Sequence, residues 1–172
     1  MDNYSQDYKT LQEAFHNQRP DYGTSGRKYA ELVLNIANKI GTKDILDWGC
    51  GKATLQKSLP FPIQNYDPFI PEYSKPPKPA AIVVCTDVME HIEPDCLDDV
   101  LTDLQSLTNG ILMLQIATRP AKKFLADGRN AHLIQENINW WIPRIMKYFD
   151  LQNLNNQKGE FMSIWTPFEE AK

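Results

Sequence analysis

The sequence predicts an α/β domain: a three-layer sandwich with a mostly parallel sheet, helices on both faces and an antiparallel strand at its C-terminal end. Three observations carry this expectation. Short apolar runs alternate with stretches of helical period through most of the chain. The first apolar run ends in a double-glycine turn that opens onto the next element. The last two strand-like stretches follow one another with no helix between them, which makes them antiparallel neighbours. At 172 residues the chain fits one domain spanning residues 1–172.

The elements follow in order. Residues 1–26 are polar and turn-rich and read as an N-terminal lid or arm. From Lys28 to Ile40, Tyr29, Leu32, Val33, Ile36, Ala37 and Ile40 recur at helical spacing, and Gly41 stops the run. Residues 43–48 read as a buried strand, followed by Gly49-Cys50-Gly51 and a short helix around residues 53–59. Residues 63–66 form a second strand ending at Asp67. Pro68, Pro71, Pro76, Pro77 and Pro79 then exclude a long helix or a central strand, since proline lacks the N–H and fixes φ. Residues 80–85 are a strand, 95–108 an amphipathic helix and 110–117 another strand. Residues 119–135 make a polar loop long enough to suggest an active-site role. Residues 137–149 read as a helix bearing Trp140 and Trp141, of which at most one lines a pocket. Residues 151–154 and 160–165 close the sheet.

Charge narrows the function. The formal net charge is −4, which argues against general nucleic-acid binding or a grip on an anionic membrane. The N-terminus shows no secretory pattern, and no apolar run is long enough to span a bilayer. Cys50, Cys85 and Cys96 lack zinc-type spacing and read as reduced thiols, so a cytoplasmic location is expected.

The glycine turn is the first chemical signal. Asp47-Trp48-Gly49-Cys50-Gly51 follows a buried strand, and in open α/β sheets ligands lie beyond the carboxyl ends of the strands. Twenty residues after Asp47, Asp67 ends the second strand, where a carboxylate can accept both ribose hydroxyls. A plain tight turn beside a surface aspartate is the other reading of the same residues.

These residues carry a resemblance. Ile45-Leu46-Asp47-Trp48-Gly49-Cys50-Gly51 and Asn65-Tyr66-Asp67-Pro68 resemble the first two motifs of class I S-adenosylmethionine-dependent methyltransferases, which have a Rossmann-like fold. The run from Ile82 to Ile92, with Glu90-His91, resembles their fourth strand and its following loop. The resemblance implies S-adenosylmethionine as cofactor. It also implies a sheet shortened between the second and fourth strands, because the proline-rich stretch replaces the usual helix and third strand with its adenine-binding acid. Asp47, Gly49, Cys50 and Gly51 would shape the methionine pocket, Asp67 and Pro68 the ribose site. Cys85 and Thr86 would present backbone near the sulfonium, and Tyr22 would belong to a lid. A nicotinamide-binding domain usually has a third glycine, and position 54 is Thr.

A second constellation follows the strand that ends near Cys85. Asp87, Glu90 and His91, with His132 from the long loop, could hold a divalent metal such as Mg or Mn, which would lower the pKa of an acceptor hydroxyl. Alternatively His91 or His132 acts as a general base without metal, with Glu90 the third catalytic candidate, or Glu90 caps or salt-bridges locally and His91 packs on the cofactor. Arg119, Lys122, Lys123 and Arg129 concentrate positive charge in the same loop, which suits an anionic acceptor or a merely solvated surface. The expected function is methyl transfer to a hydroxyl or amine of a small molecule or nucleotide. The alternatives are a non-catalytic S-adenosylmethionine-binding or partner-regulating protein, and a nicotinamide-dependent oxidoreductase.

Overall fold

A computed structural model describes residues 3–168. Six strands form one sheet: β1 (Ile45–Trp48), β2 (Gln64–Tyr66), β3 (Ala80–Thr86), β4 (Thr108–Ala117), β5 (Phe149–Gln157) and β6 (Glu160–Pro167). Their order is β2-β1-β3-β4-β6-β5. The first four are mutually parallel, while β6 runs antiparallel to both β4 and β5. The helices are α1 (Gln6–Gln18), α2 (Ala30–Ile40), α3 (Leu97–Leu107) and α4 (Ile138–Ile145).

The central strands are buried on both faces and so alternate between two cores. Ile82 and Val84 of β3 meet Val33 and Ala37 of α2, together with Ile45 and Met113. Val83 and Cys85 face the other way, onto Val100, Leu101 and Leu104 of α3 and onto Trp141 of α4. Gly41, at φ 72°, caps α2 in the left-handed conformation that ends helices.

Three elements differ from expectation. Residues 1–26 are not all turn: α1 forms there because Ser5 caps it, and Tyr8, Gln12 and Phe15, spaced at i, i+4 and i+7, bury one face. The helix expected at 53–59 is only a 3₁₀ turn at Gln56–Ser58, since Ala53 takes φ 51° and interrupts helical geometry at its start. Helix α4 stops at Ile145, after Pro143 inside it, and Phe149 already belongs to β5.

The proline-rich connection holds one 3₁₀ turn, Pro71–Tyr73, and no strand. It is fastened along its course: Asp67 N–H donates to the Tyr73 carbonyl at 3.1 Å, and Lys78 N–H to Gln64 Oε1 at 3.1 Å. β2 is therefore an edge strand.

Candidate active site

Parallel strands deliver their following loops to one edge, and the site is built there. After β1 the chain turns sharply, with Gly49 at φ 78° and Gly51 at φ 53°. Gly49 and Cys50 N–H groups both donate to the Tyr66 carbonyl, at 2.7 and 2.9 Å, which ties the turn to the end of β2. Gly51 N–H donates to Asp67 Oδ2 at 3.0 Å, and Phe69 N–H to Asp67 Oδ1 at 3.0 Å. Asp67 is 5% exposed. Burial raises its pKa to about 6, against the pull of those two N–H donors. Asp47 lies deeper, with Oδ2 unpartnered, and burial followed by the nearby Asp67 raises it to about 7.

A cavity of about 430 Å³ opens over this turn. Gly49, Gly51, Asp67, Pro68 and Tyr22 line it, as do Asp87, His91 and His132. Cys50 and Asp47 are both buried, and neither lines the cavity. Cys85 and Thr86 do not line it either: both are buried at the end of β3, and the wall there is Asp87 and Val88. The reason is local. Asp87 adopts φ 54°, so the chain turns toward the cavity one residue later than expected.

The arm closes the opposite wall. Ser5 N–H and Oγ both donate to the Glu93 carboxylate, at 2.7 and 2.8 Å. The Tyr8 hydroxyl donates to the His91 carbonyl and accepts from Gln12 Nε2, while the Tyr22 hydroxyl donates to Gln12 Oε1 at 3.3 Å. At one end of the cavity Phe69 meets the edges of Tyr4 and Tyr8, with ring centroids 5.0 and 5.8 Å apart. Tyr8, Gln12 and Phe69 are site residues that sequence reading missed. For the first two the one signal in the sequence was Ser5 as a helix cap.

The acid–histidine group is assembled from two loops. Glu90 and His91 sit in a 3₁₀ turn (Met89–His91), and His132 comes from the loop after β4. The His91 and His132 rings are 4.8 Å apart and nearly perpendicular. His91 Nδ1 is 2.7 Å from the Ala131 carbonyl and His132 Nδ1 is 2.6 Å from the Arg119 carbonyl. A carbonyl only accepts, so each Nδ1 carries the proton and each Nε2 keeps its lone pair. Glu90 is fully buried; its Oε1 accepts from Ala117 N–H at 3.0 Å and its Oε2 has no partner. Burial first, then Asp87, raise Glu90 to about 8. Burial lowers His91 to about 3, with His132 adding to the effect, and burial lowers His132 as well. One donor atom from each of Glu90, His91 and His132 lies within 4.8 Å of the others. Asp87 stands outside this set, so the four-residue metal group expected from sequence is reduced to three.

The family profile described as "Methyltransferase domain" matches residues 15–161. The chain belongs to this methyltransferase-domain family. No curated protein matches it. Solved structures share its fold at low identity. The DhpI–SAH complex is 12% identical, with 95% of this chain and 98% of that chain covered and a TM-score of 0.61. The 1,6-didemethyltoxoflavin-N1-methyltransferase of Burkholderia thailandensis, solved with 1,6-didemethyltoxoflavin and S-adenosylhomocysteine, is 11% identical, with 95% and 90% covered and a TM-score of 0.66. The N-methyltransferase NodS from Bradyrhizobium japonicum WM9, in complex with S-adenosylhomocysteine, is 12% identical, with 98% and 100% covered and a TM-score of 0.60. The chain thus shares the fold of these methyltransferases over most of its length. No helix among the described residues is long and apolar enough to cross a membrane.

Proposed function

We propose that this methyltransferase binds S-adenosylmethionine in the cavity over the glycine turn and transfers its methyl group to a hydroxyl or amine of a small molecule or nucleotide. The observation that carries the reading is Asp67: a nearly buried carboxylate, anchored by Gly51 N–H, on the wall of a cavity shared with His91 and His132. S-adenosylmethionine supplies an electrophilic methyl on a sulfonium. The chain's own residues do the rest. Asp67 offers its remaining lone pairs to ribose hydroxyls, and Phe69 with Tyr4 provides an apolar, aromatic wall for a base. Tyr22 and Gly23 cover the glycine turn and exclude water. In-line displacement needs little beyond alignment, so positioning supplies much of the catalysis.

The acceptor proton goes to His132 Nε2 in this reading. Its Nδ1–H is held by the Arg119 carbonyl, and it is more exposed than His91. His91, tied by its backbone to Tyr8, holds the second imidazole against it.

A second reading rests on Glu90 Oε2, buried without a partner beside two imidazoles that present Nε2. Glu90, His91 and His132 would hold a divalent cation, which would polarise the acceptor oxygen. Two nitrogens and one carboxylate suit manganese better than magnesium. The Ala131 and Arg119 carbonyls, by holding each Nδ1–H, would keep both Nε2 atoms turned toward such a cation.

Calorimetry with S-adenosylhomocysteine and with NAD tests the cofactor. Micromolar binding of the first and none of the second is expected, and the reverse would sink the proposal. A mass-spectrometric screen of hydroxyl- and amine-bearing compounds for a gain of one methyl then identifies the acceptor. Binding with no transfer to any acceptor would favour a non-catalytic, partner-regulating role.

A further inference from the structure

The loop that carries His132 is closed by one side chain. Asn130 Oδ1 accepts from His132 N–H and from Ala121 N–H, both at 2.9 Å, and its Nδ2 donates to the Ala121 carbonyl at 2.9 Å. Backbone N–H groups only donate, so these bonds fix which end of the amide is oxygen. Pro120, just before Ala121, has no N–H with which to tie this rim itself. Further along the loop Ala131 N–H donates to the Lys123 carbonyl at 3.0 Å, and Leu125 N–H to the Arg129 carbonyl at 2.8 Å.

The clamp joins the two acceptors that hold the histidines. The Arg119 carbonyl, two residues before Ala121, lies 2.6 Å from His132 Nδ1. The Ala131 carbonyl, directly after Asn130, lies 2.7 Å from His91 Nδ1. Neither Arg119 nor Ala131 belongs to a helix or strand, so no regular ladder fixes either carbonyl. Arg119 is steadied from its other side, where Thr118 N–H donates to the Gly159 carbonyl at 2.9 Å and the guanidinium meets Glu160 at 3.4 Å. Asn130 itself is partly buried and does not line the cavity over the glycine turn, whereas Ala121, Ala131 and His132 do. Any effect it has on chemistry passes through them.

We propose that Asn130 is the positioning residue of the histidine pair. By locking Ala121 to His132 it keeps the Arg119 and Ala131 carbonyls on the two Nδ1–H groups. Both imidazoles then keep Nε2 unprotonated, which is the state needed to take an acceptor proton or to ligate a cation. The catalytic consequence rests on the methyl-transfer reading above; the tautomers do not.

Long-range ¹H–¹⁵N spectra of the ligand-free protein report the tautomer of each of its three histidines. In the wild type His91 and His132 should both be Nδ1–H. Asn130→Ala should convert His132 to a mixture in which the Nε2–H form appears. Asn130→Asp keeps the size of the side chain and both accepted N–H bonds, but sets a carboxylate oxygen against the Ala121 carbonyl. It should disturb the His132 tautomer too, in a variant that differs by one atom. Gln56→Ala removes a comparable clamp, between the Phe61 carbonyl and Ile63 N–H, from a residue that does not line the cavity. It should leave both histidines Nδ1–H. All three variants should keep wild-type affinity for S-adenosylhomocysteine by calorimetry. With the acceptor in hand, Asn130→Ala should lower kcat by about 10–100-fold and leave KM for S-adenosylmethionine unchanged. An Nε2–H His132 in the wild type overturns the proposal, as does an unaltered His132 in both Asn130 variants. Equal disturbance by Gln56→Ala would also overturn it, because any loss of stability would then suffice. The tautomers are read without cofactor or acceptor, so failure of this proposal and failure of the methyl-transfer reading are separately visible.

Discussion

Gly23 lies directly against Gly51: a Cβ built on Gly51 would stand 2.5 Å from the Gly23 carbonyl oxygen, which itself accepts from Lys52 N–H at 2.8 Å. Two glycines far apart in sequence thus let the arm seat on the cofactor turn. Gly51→Ala would combine that clash with a φ of 53°, unfavourable for a residue with a side chain. We predict a loss of stability of about 1–3 kcal/mol, read by urea unfolding, together with weakened S-adenosylhomocysteine binding. An alanine variant with wild-type affinity and stability would show that the arm is not seated there.

Asp67→Ala removes the buried carboxylate and should weaken S-adenosylhomocysteine by at least ~1.5 kcal/mol, the lower figure for hydrogen bonds to a charged group. Calorimetry decides. Unchanged affinity removes Asp67 from the ribose site.

The pH dependence of stability should carry the mark of Asp47. Burial first, then Asp67, raise its pKa from 3.8 to about 7. Between those values the folded state holds a proton that the unfolded chain has lost. The contribution is therefore fully present below 3.8 and disappears as pH rises through about 7. Its size is about 4 kcal/mol as an order of magnitude. Asp47→Asn should gain on the wild type as pH rises from acid to neutral, measured by urea unfolding of the ligand-free proteins. A difference between the two that is flat with pH would contradict burial of an ionisable Asp47.

His132→Ala should lower kcat by about 10²–10⁴ with the acceptor found by the screen. The wild-type rate should fall on the acid side, below the ordinary imidazole pKa of about 6.5, because burial lowers His132. Chelation separates the two readings of the cluster. Activity lost to EDTA and restored by manganese supports the cation, whereas activity indifferent to EDTA leaves His132 as a metal-free base.

Tyr8→Phe deletes the hydroxyl between Gln12 and the His91 carbonyl. It should cost about 1 kcal/mol and speed hydrogen exchange in residues 6–18. Exchange unchanged from the wild type would mean that α1 is held by Ser5 and Glu93 alone.

Much of the site was legible because it follows directly from strand ends. Once Ile45–Trp48 and the Ala80 strand were recognised, Gly49, Gly51, Asp67 and the Glu90-His91 turn had to fall at one edge of the sheet. The proline spacing between Pro68 and Pro79 likewise excluded a strand there. What escaped depends on contacts distant in sequence. Helix α1 has few apolar residues, and Gln12 is buried only because Tyr8 and Tyr22 satisfy it. Asp87 in place of Cys85 and Thr86 at the wall turns on one backbone angle, which no residue type announces.

The arm also separates two requirements that most enzymes must meet with the same residues. Tyr8 and Phe15 join a small cluster with Leu125, apart from the two cores that hold the sheet to α2, α3 and α4. Substitutions on the inner side of α1 therefore meet the arm's own cluster and its bonds to the neighbouring turns before they reach either core of the sheet.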